Sequence, residues 1–214
     1  MPNKFTRTDF LTANVEFWTP DHIRCGREFQ CPRTEFNDYW LNQIAIDIDG
    51  HVARSLVIQD SNNLAAYITI CAASLEFKKV RGHRPTPLSG EGIGYASLPA
   101  IKIGRLAADI SAKKSGTRLL RWTLAYVARE VAPKIGVRFV TLEALYDPDD
   151  VNPTTGEPYD VSKFYKNKFG FEYIDPNETP KAPYRSMFLD LKPLIEAAKA
   201  GGASVDSVIA QLKA

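Results

Sequence analysis

Apolar positions recur every four residues in "TEFNDYWLNQIAI" (34–46): Phe36, Trp40 and Ile44 form a stripe that Tyr39 fills, predicting an amphipathic helix after Pro32. The pattern then changes. "HVARSLVIQD" (51–60) and "LAAYITICAASLEF" (64–77) are apolar, β-branched runs separated by Asp60-Ser61-Asn62-Asn63, which predicts two strands joined by a tight turn. A Gly/Pro-rich link (81–94) leads to "YASLPAIKIGRLAADIS" (95–111), an extended stretch that Pro99 and Gly104 are placed to bend or bulge. Helical spacing returns with Leu120, Leu124, Val127 and Val131, predicting a helix over roughly 117–131 that Pro133 and Gly136 end. "VRFVTLEAL" (137–145) is again β-rich.

Strand, turn, helix and second strand in that order make a βαβ unit, whose two strands should be parallel neighbours. A proline- and acid-rich loop (146–160) precedes a short helix in "VSKFYKNKFGF", and "FEYI" and "YRSMFLDL" supply closing strands. From Lys192 onward the chain reads as two short helices broken at Gly201-Gly202, with Val205, Val208, Ile209 and Leu212 at helical spacing. The expected organisation is one domain over 1–191 and a helical extension over 192–214. Hairpins first and one βαβ unit later describe an α+β fold: a mixed, mostly antiparallel sheet with a parallel βαβ core, flanked by helices.

Composition narrows the function classes only a little. The 214 residues, 44% hydrophobic and 24% charged, suit an ordinary globular protein. Its 27 basic and 25 acidic side chains leave a net charge of +2, so any basic surface must be local. Cys25, Cys31 and Cys71 are an odd count without metal-site spacing, and His22, His51 and His83 are scattered, so no metal is expected and the thiols read as free. The longest mostly apolar segment, 64–75, is too short to span a bilayer, and the first 30 residues hold no apolar run of signal-peptide length. A cytoplasmic protein without a membrane partner is the expectation.

The chemistry concentrates in "SAKKSGTRLLRW" (111–122). Within it, residues 113–118 place two lysines, two hydroxyls, a glycine and an arginine where a helix begins, and the exposed amides of a helix start suit an anion. An ordinary capped turn with solvated lysines would read the same way. Further on, "GRLAADISAKKSGTRLL" resembles the pyrophosphate segment of the GNAT superfamily of acyl-CoA-dependent N-acyltransferases. That family's strand of type "RLAV" is followed by Gln/Arg-x-x-Gly-x-Gly/Ala at a helix start. Lys113 stands for the Gln/Arg, Gly116 for the first glycine, and Arg118 departs from the final small residue. "KFYKNKFGFEY" is similar to the family's late "FY-x-x-x-GF" element, with Tyr165 five residues before Gly170, one more than usual. "PYRSMFLDL" resembles a closing strand of the fold. The resemblance covers roughly residues 30–190.

The resemblance implies acetyl-CoA as cosubstrate, its pyrophosphate against the backbone amides of about Lys114 to Arg118. Ser115 and Thr117 would donate hydroxyl hydrogen bonds, and Lys113, Lys114 and Arg118 would add charge. The pantetheine amides would pair with the strand at Leu106, Ala107 and Ala108, whose backbone could also stabilise an oxyanion. Tyr165 would face the thioester sulfur and donate a proton or a hydrogen bond to the leaving thiolate. A neutral primary amine would attack the thioester directly. Glu76 and Glu143 are candidates for the general base by position only.

The acceptor is not legible. "KKVRGHR" (78–84) could hold an RNA backbone, whereas Asp147, Asp149, Asp150, Glu157 and Asp160 could attract a cationic amine. "YASLPAIKIGRLAAD" also resembles GNAT-type toxins that acetylate aminoacyl-tRNA, which makes tRNA a candidate partner, although those chains are usually shorter and more basic. A non-catalytic acyl-CoA-binding sensor is the remaining alternative. The C-terminal helical positions suit packing on their own domain or a homodimer contact.

Overall fold

Ser61 and Asn62 both take positive φ, 50° and 66°, the left-handed pair that a two-residue type I′ hairpin turn requires. The turn joins β2 (Arg54–Asp60) to β3 (Asn63–Glu76) in antiparallel register from Asp60↔Asn63 to Arg54↔Ile70. The computed structural model describes residues 4–76, 95–151, 156–175, 183–200 and 204. They fall into two units, 1–71 with 103–124 and 72–102 with 125–214.

In the first unit the strand order is β1-β2-β3-β4, where β1 is Glu16–Phe17 and β4 is Ser97–Ala108. Short helix α1 (His22–Cys25) precedes α2 (Thr34–Asn42) and α3 (Ile44–Asp49). The single helix expected over 34–46 is therefore two, divided at Gln43. The predicted stripe still forms the core: Tyr39, Trp40, Ile44 and Ile48 pack with Phe29, Val57, Leu64, Tyr67 and Ala107. The Tyr67 hydroxyl donates to the Phe36 carbonyl at 2.7 Å, tying β3 to α2.

Gly104 has a steric reason. A Cβ there would lie 2.9 Å from Thr69 Oγ1, the same oxygen that accepts from the Arg105 amide at 2.9 Å. Here β4 runs against a side-chain hydroxyl of β3, and only glycine leaves room for it. Gly104→Ala should lower stability by about 1–2 kcal/mol, since overpacking a filled site forces the neighbour to move. A urea melt with unchanged slope and an earlier midpoint is the expected reading.

In the second unit the order is β3-β4-β5-β8-β7, with β6 paired to β5; β3 and β4 contribute residues to both units. Here β5 is Phe139–Val151, β6 Pro158–Asp160, β7 Glu172–Tyr173 and β8 Tyr184–Asp190. β4 reaches its neighbour β5 through α4 (Ser115–Tyr126), the crossover that a parallel pair needs. β5, β7 and β8 are antiparallel, registered through Phe139↔Asp190, Leu145↔Tyr184 and Glu172↔Phe188. The Arg138 guanidinium grips Asp190 in bidentate fashion at 2.6 and 2.7 Å, fixing where β5 meets β8. Leu75, Leu98, Ala100, Phe139 and Phe188 form the core cluster of this unit.

Two expectations change. Pro133 does not end the helix: a π-turn over Val127–Val131 passes into α5 (Ala132–Ile135), and the chain leaves the helix at Gly136, φ 71°. Proline in the first turn of a helical segment loses an amide that would have no partner anyway, so the shift into a π-turn accommodates it. The acid-rich segment 146–160 is not a loop throughout, because β5 continues to Val151 and β6 pairs back through Tyr146↔Asp160 and Asp147↔Tyr159. Helix α7 (Lys192–Lys199) confirms the first of the two expected C-terminal helices; residues 205–214 and the basic cluster 78–84 lie outside the described residues.

Candidate functional site

The end of β4 is tied down before the loop begins. The Asp109 amide donates to Ala65 O at 2.9 Å, continuing the alignment with β3, and the Ile110 amide donates to Gln30 O at 2.9 Å. The buried Asp109 carboxylate accepts from the amides of Gln30 and Ser111 (both 2.9 Å), the Ser111 hydroxyl (2.6 Å) and Lys4 Nζ (2.5 Å). Burial alone would raise its pKa. The bonds from Lys4, Ser111 and Gln30 outweigh that and hold the carboxyl below the usual range. Sequence reasoning missed this residue. Its one local signal is Asp-x-Ser directly after a strand, the pattern of an Asx turn.

Downstream, the predicted anion residues fall into distinct roles. Ser115 is fully buried, its hydroxyl donating to Ala112 O (2.7 Å) and Ala65 O (3.1 Å), so that group shapes the loop. Its amide bonds Ala112 O at 3.2 Å and the Arg118 amide bonds Lys114 O at 2.9 Å. Among the described residues the amides of Gly116 and Thr117 have no partner, as in the first turn of a helix. Gly116 also nests against β4: a Cβ there would sit 3.3 Å from the Ala108 methyl. The Thr117 hydroxyl has no partner among the described residues. Lys114 is held at φ 68°, where a side chain costs about 1 kcal/mol.

The cations differ as well. Lys113 is exposed, without an ion pair among the described residues, and Lys114 meets Asp9 at 3.1 Å. Arg118 is half-buried and donates through Nε to Ala13 O at 3.3 Å, which leaves its terminal amino groups without a partner among the described residues. Of the predicted pantetheine strand, Ala107 is buried in the first unit's core, whereas Leu106 and Ala108 are half-buried. Leu106 to Arg118 thus belong together in the first unit, and small residues bring the strand end and helix start close.

Tyr165 belongs to the second unit, on α6 (Ser162–Phe169). The helix closes regularly: Gly170 takes φ 75°, its amide bonds Lys166 O, and the Phe171 amide bonds Tyr165 O at 3.4 Å. The 5→1 bond from a left-handed Gly170 is the αL helix ending. The Tyr165 ring is buried edge-to-face against Phe164 and Phe171, at 5.3 and 5.7 Å. Its hydroxyl has no hydrogen-bond partner among the described residues. Burial pushes its pKa above the ordinary phenol value, so the proton stays on through the neutral range.

Glu76 and Glu143 line one cleft of the second unit, together with Ser74, Lys102, Thr141 and Ser186. Glu143 pairs with Lys102 at 3.0 Å, and both side chains stay partly exposed. Lys102 was not anticipated; its side chain alternates with apolar neighbours along β4 without any motif. Among the described residues no cluster of three metal-ligating side chains forms, and no helix is long and apolar enough to cross a membrane.

A hairpin leading into a βαβ crossover, with an amide-bearing helix start after the first crossover strand, is the GNAT fold that the sequence resemblance implied. Solved structures agree. A tyrosine-to-phenylalanine variant of KacT superposes with TM-score 0.64 at 19% identity over 86% of this chain and 98% of that one. AtaT complexed with acetyl-methionyl-tRNAfMet gives 0.64 at 19% identity over 84% and 95%. AtaTR bound with AcCoA gives 0.60 at 19% identity over 87% and 96%. No protein-family model and no curated protein matches the chain.

Proposed function

We propose that this protein is an acetyl-CoA-dependent N-acetyltransferase. The observation that carries the reading is the loop at 109–118, which presents at the first helix after β4 a strained lysine and, among the described residues, two amides and cationic groups without partners. The residues fit the cofactor: Gly116 and Thr117 offer amides, Lys113, Lys114 and the Arg118 amino groups offer charge, and Ser115 fixes the loop instead of touching the ligand. Acetyl-CoA, when bound, supplies an activated acyl group on a thiol leaving group. Tyr165 keeps its proton at neutral pH and is suited to donate a hydrogen bond to the departing sulfur. AtaTR bound with AcCoA supports the same cosubstrate.

The acceptor we propose is the α-amine of an aminoacyl-tRNA, in a toxin-like role. The AtaT complex with acetyl-methionyl-tRNAfMet supports it. So does acid–base chemistry, because Glu143 is already paired with Lys102 and an acceptor that needs little deprotonation suits such a site. An α-amino group of pKa about 7.7 is about one-sixth neutral at pH 7, whereas a lysine amine near 10.4 is neutral in about one molecule in 2,500. A weakly assisted enzyme therefore favours the less basic amine. A tRNA acceptor would also place the protein in the cytoplasm.

The test is thiol release from acetyl-CoA with charged tRNA, free amino acids and polyamines offered in turn. Thiol release with charged tRNA alone supports both parts; release only with polyamines overturns the acceptor, and no acetyl-CoA binding overturns the enzyme. Lys114→Gly separates function from folding. Glycine accepts φ 68° freely, so the melting temperature should hold or rise, while acetyl-CoA affinity should drop roughly threefold or more with the lost charge.

A further inference from the structure

Two of the three cations of the 113–118 segment are held by the N-terminal stretch of the same unit. Lys114 Nζ meets Asp9 Oδ2 at 3.1 Å, and Arg118 Nε donates to Ala13 O at 3.3 Å. That stretch is firmly seated. Lys4 bonds Asp109 and the Glu28 carbonyl, and Asp60 accepts from the amides of Thr6 and Arg7 at 2.6 and 2.9 Å and from the Thr6 hydroxyl. Phe5 and Phe10 are buried edge-to-face at 5.3 Å. The Leu11 amide fixes the Asp9 carboxylate at 3.0 Å. Asp9 therefore projects from an anchored strap, not from a loose terminus. The Leu11 amide first, and Lys114 next, hold its carboxyl below the usual range, so it is ionised at neutral pH.

We propose that the 4–13 strap forms part of the cofactor site, with Asp9 competing against the diphosphate of the ligand for Lys114 while Ala13 holds Arg118 in place. The inference rests on the loop binding a diphosphate, as proposed above. A diphosphate reaching Lys114 either displaces the carboxylate or sits beside a like charge, and both weaken binding. Lys114 and Asp9 are both about half exposed, so the pair opens without disturbing the core. Arg118 behaves differently. One of its donors is committed to the strap and the others remain unused, so a guanidinium held in place meets the ligand with less side-chain freedom to lose. The strap thus tunes affinity downward at one cation and organises the other.

The experiment is calorimetric titration of full-length wild type, Asp9→Asn, Lys114→Ala and the double variant at low salt. The probes are acetyl-CoA, inorganic diphosphate and phosphate-free pantetheine. Asp9→Asn should bind acetyl-CoA and diphosphate roughly two- to fivefold tighter, the scale of one exposed ion pair, and leave pantetheine unchanged. The gain should vanish in the Lys114→Ala background and shrink as salt is raised. Equal or weaker binding by Asp9→Asn overturns the proposal, and so does a gain that survives without Lys114. If diphosphate binds and shows the gain while acetyl-CoA does not bind, the acetyltransferase reading falls and the competing carboxylate stands. If neither probe binds wild type or variant, both fall.

Discussion

Tyr165→Phe should slow acetyl transfer about a hundredfold while leaving acetyl-CoA affinity and thermal stability close to wild type. The ring contacts that bury the residue, against Phe164 and Phe171, are unchanged by removing one oxygen. That oxygen has no partner among the described residues, so its loss strands no buried group, and the stability change should stay within about 0.5 kcal/mol. A buried tyrosine hydroxyl ordinarily finds a partner within the protein. The Tyr165 oxygen has none among the described residues and is not among their fully enclosed unpartnered atoms, which leaves it open to a ligand atom. The departing thiol has an ordinary pKa of about 8.5, so the help it needs is modest, which sets the expected loss at the lower end of general-acid effects. Thiol release under saturating acetyl-CoA gives the rate, and a thermal shift with acetyl-CoA gives the binding. Full activity in the phenylalanine variant would remove Tyr165 from the chemistry. Equal losses of rate and binding would mean that the residue only shapes the site.

Much of the fold was legible because its signals are local. The hairpin turn at 60–63 depends on residues that tolerate left-handed backbone, and Ser61 and Asn62 adopt it. The apolar stripe from Phe36 to Ile44 survives the break at Gln43, because burial is set by side-chain spacing while the helix boundary depends on backbone geometry. Sequence misread the helix end and the acidic segment for the opposite reason. Whether Pro133 stops a helix depends on whether the preceding turn can widen, and whether 146–151 extends a strand depends on a partner, β6, that arrives later in the chain. Neither fact is written near the residues concerned.

The candidate site divides along the same line. Residues 113–118 and 165 could be singled out because they stand in contiguous motifs. Asp109, Lys4, Asp9 and Ala13 could not, since the contacts that give them meaning join residues 105 positions apart. Ser115 shows what a motif leaves open. A hydroxyl at a helix start reads as a ligand donor, yet here two backbone carbonyls occupy it. A motif specifies where a helix start exposes its amides more reliably than it specifies what the neighbouring side chains bond.

The contact between distant segments with the largest consequence is Asp109 with Lys4. Replacing Asp109 by Ala should cost about 3 kcal/mol, because it leaves the Gln30 and Ser111 amides and a partly buried ammonium without their acceptor. For a chain of this size that is a fall of roughly 6–12 °C in melting temperature. The acid dependence gives an independent reading. In the folded state the carboxyl titrates below its ordinary value. Its contribution is therefore complete above the unfolded-state value of about 3.9, and is lost as pH falls through the lower folded value. Urea melts of wild type and Asp109→Asn from pH 7 to pH 2 should converge at the acid end, since asparagine has no proton to gain. Parallel profiles would mean that the carboxylate contributes no more than an amide would. A cycle with Lys4→Met isolates the ion pair from the two amide bonds, because methionine keeps the bulk of the lysine stem without its charge. Coupling close to zero would assign the anchoring of the loop to those amides.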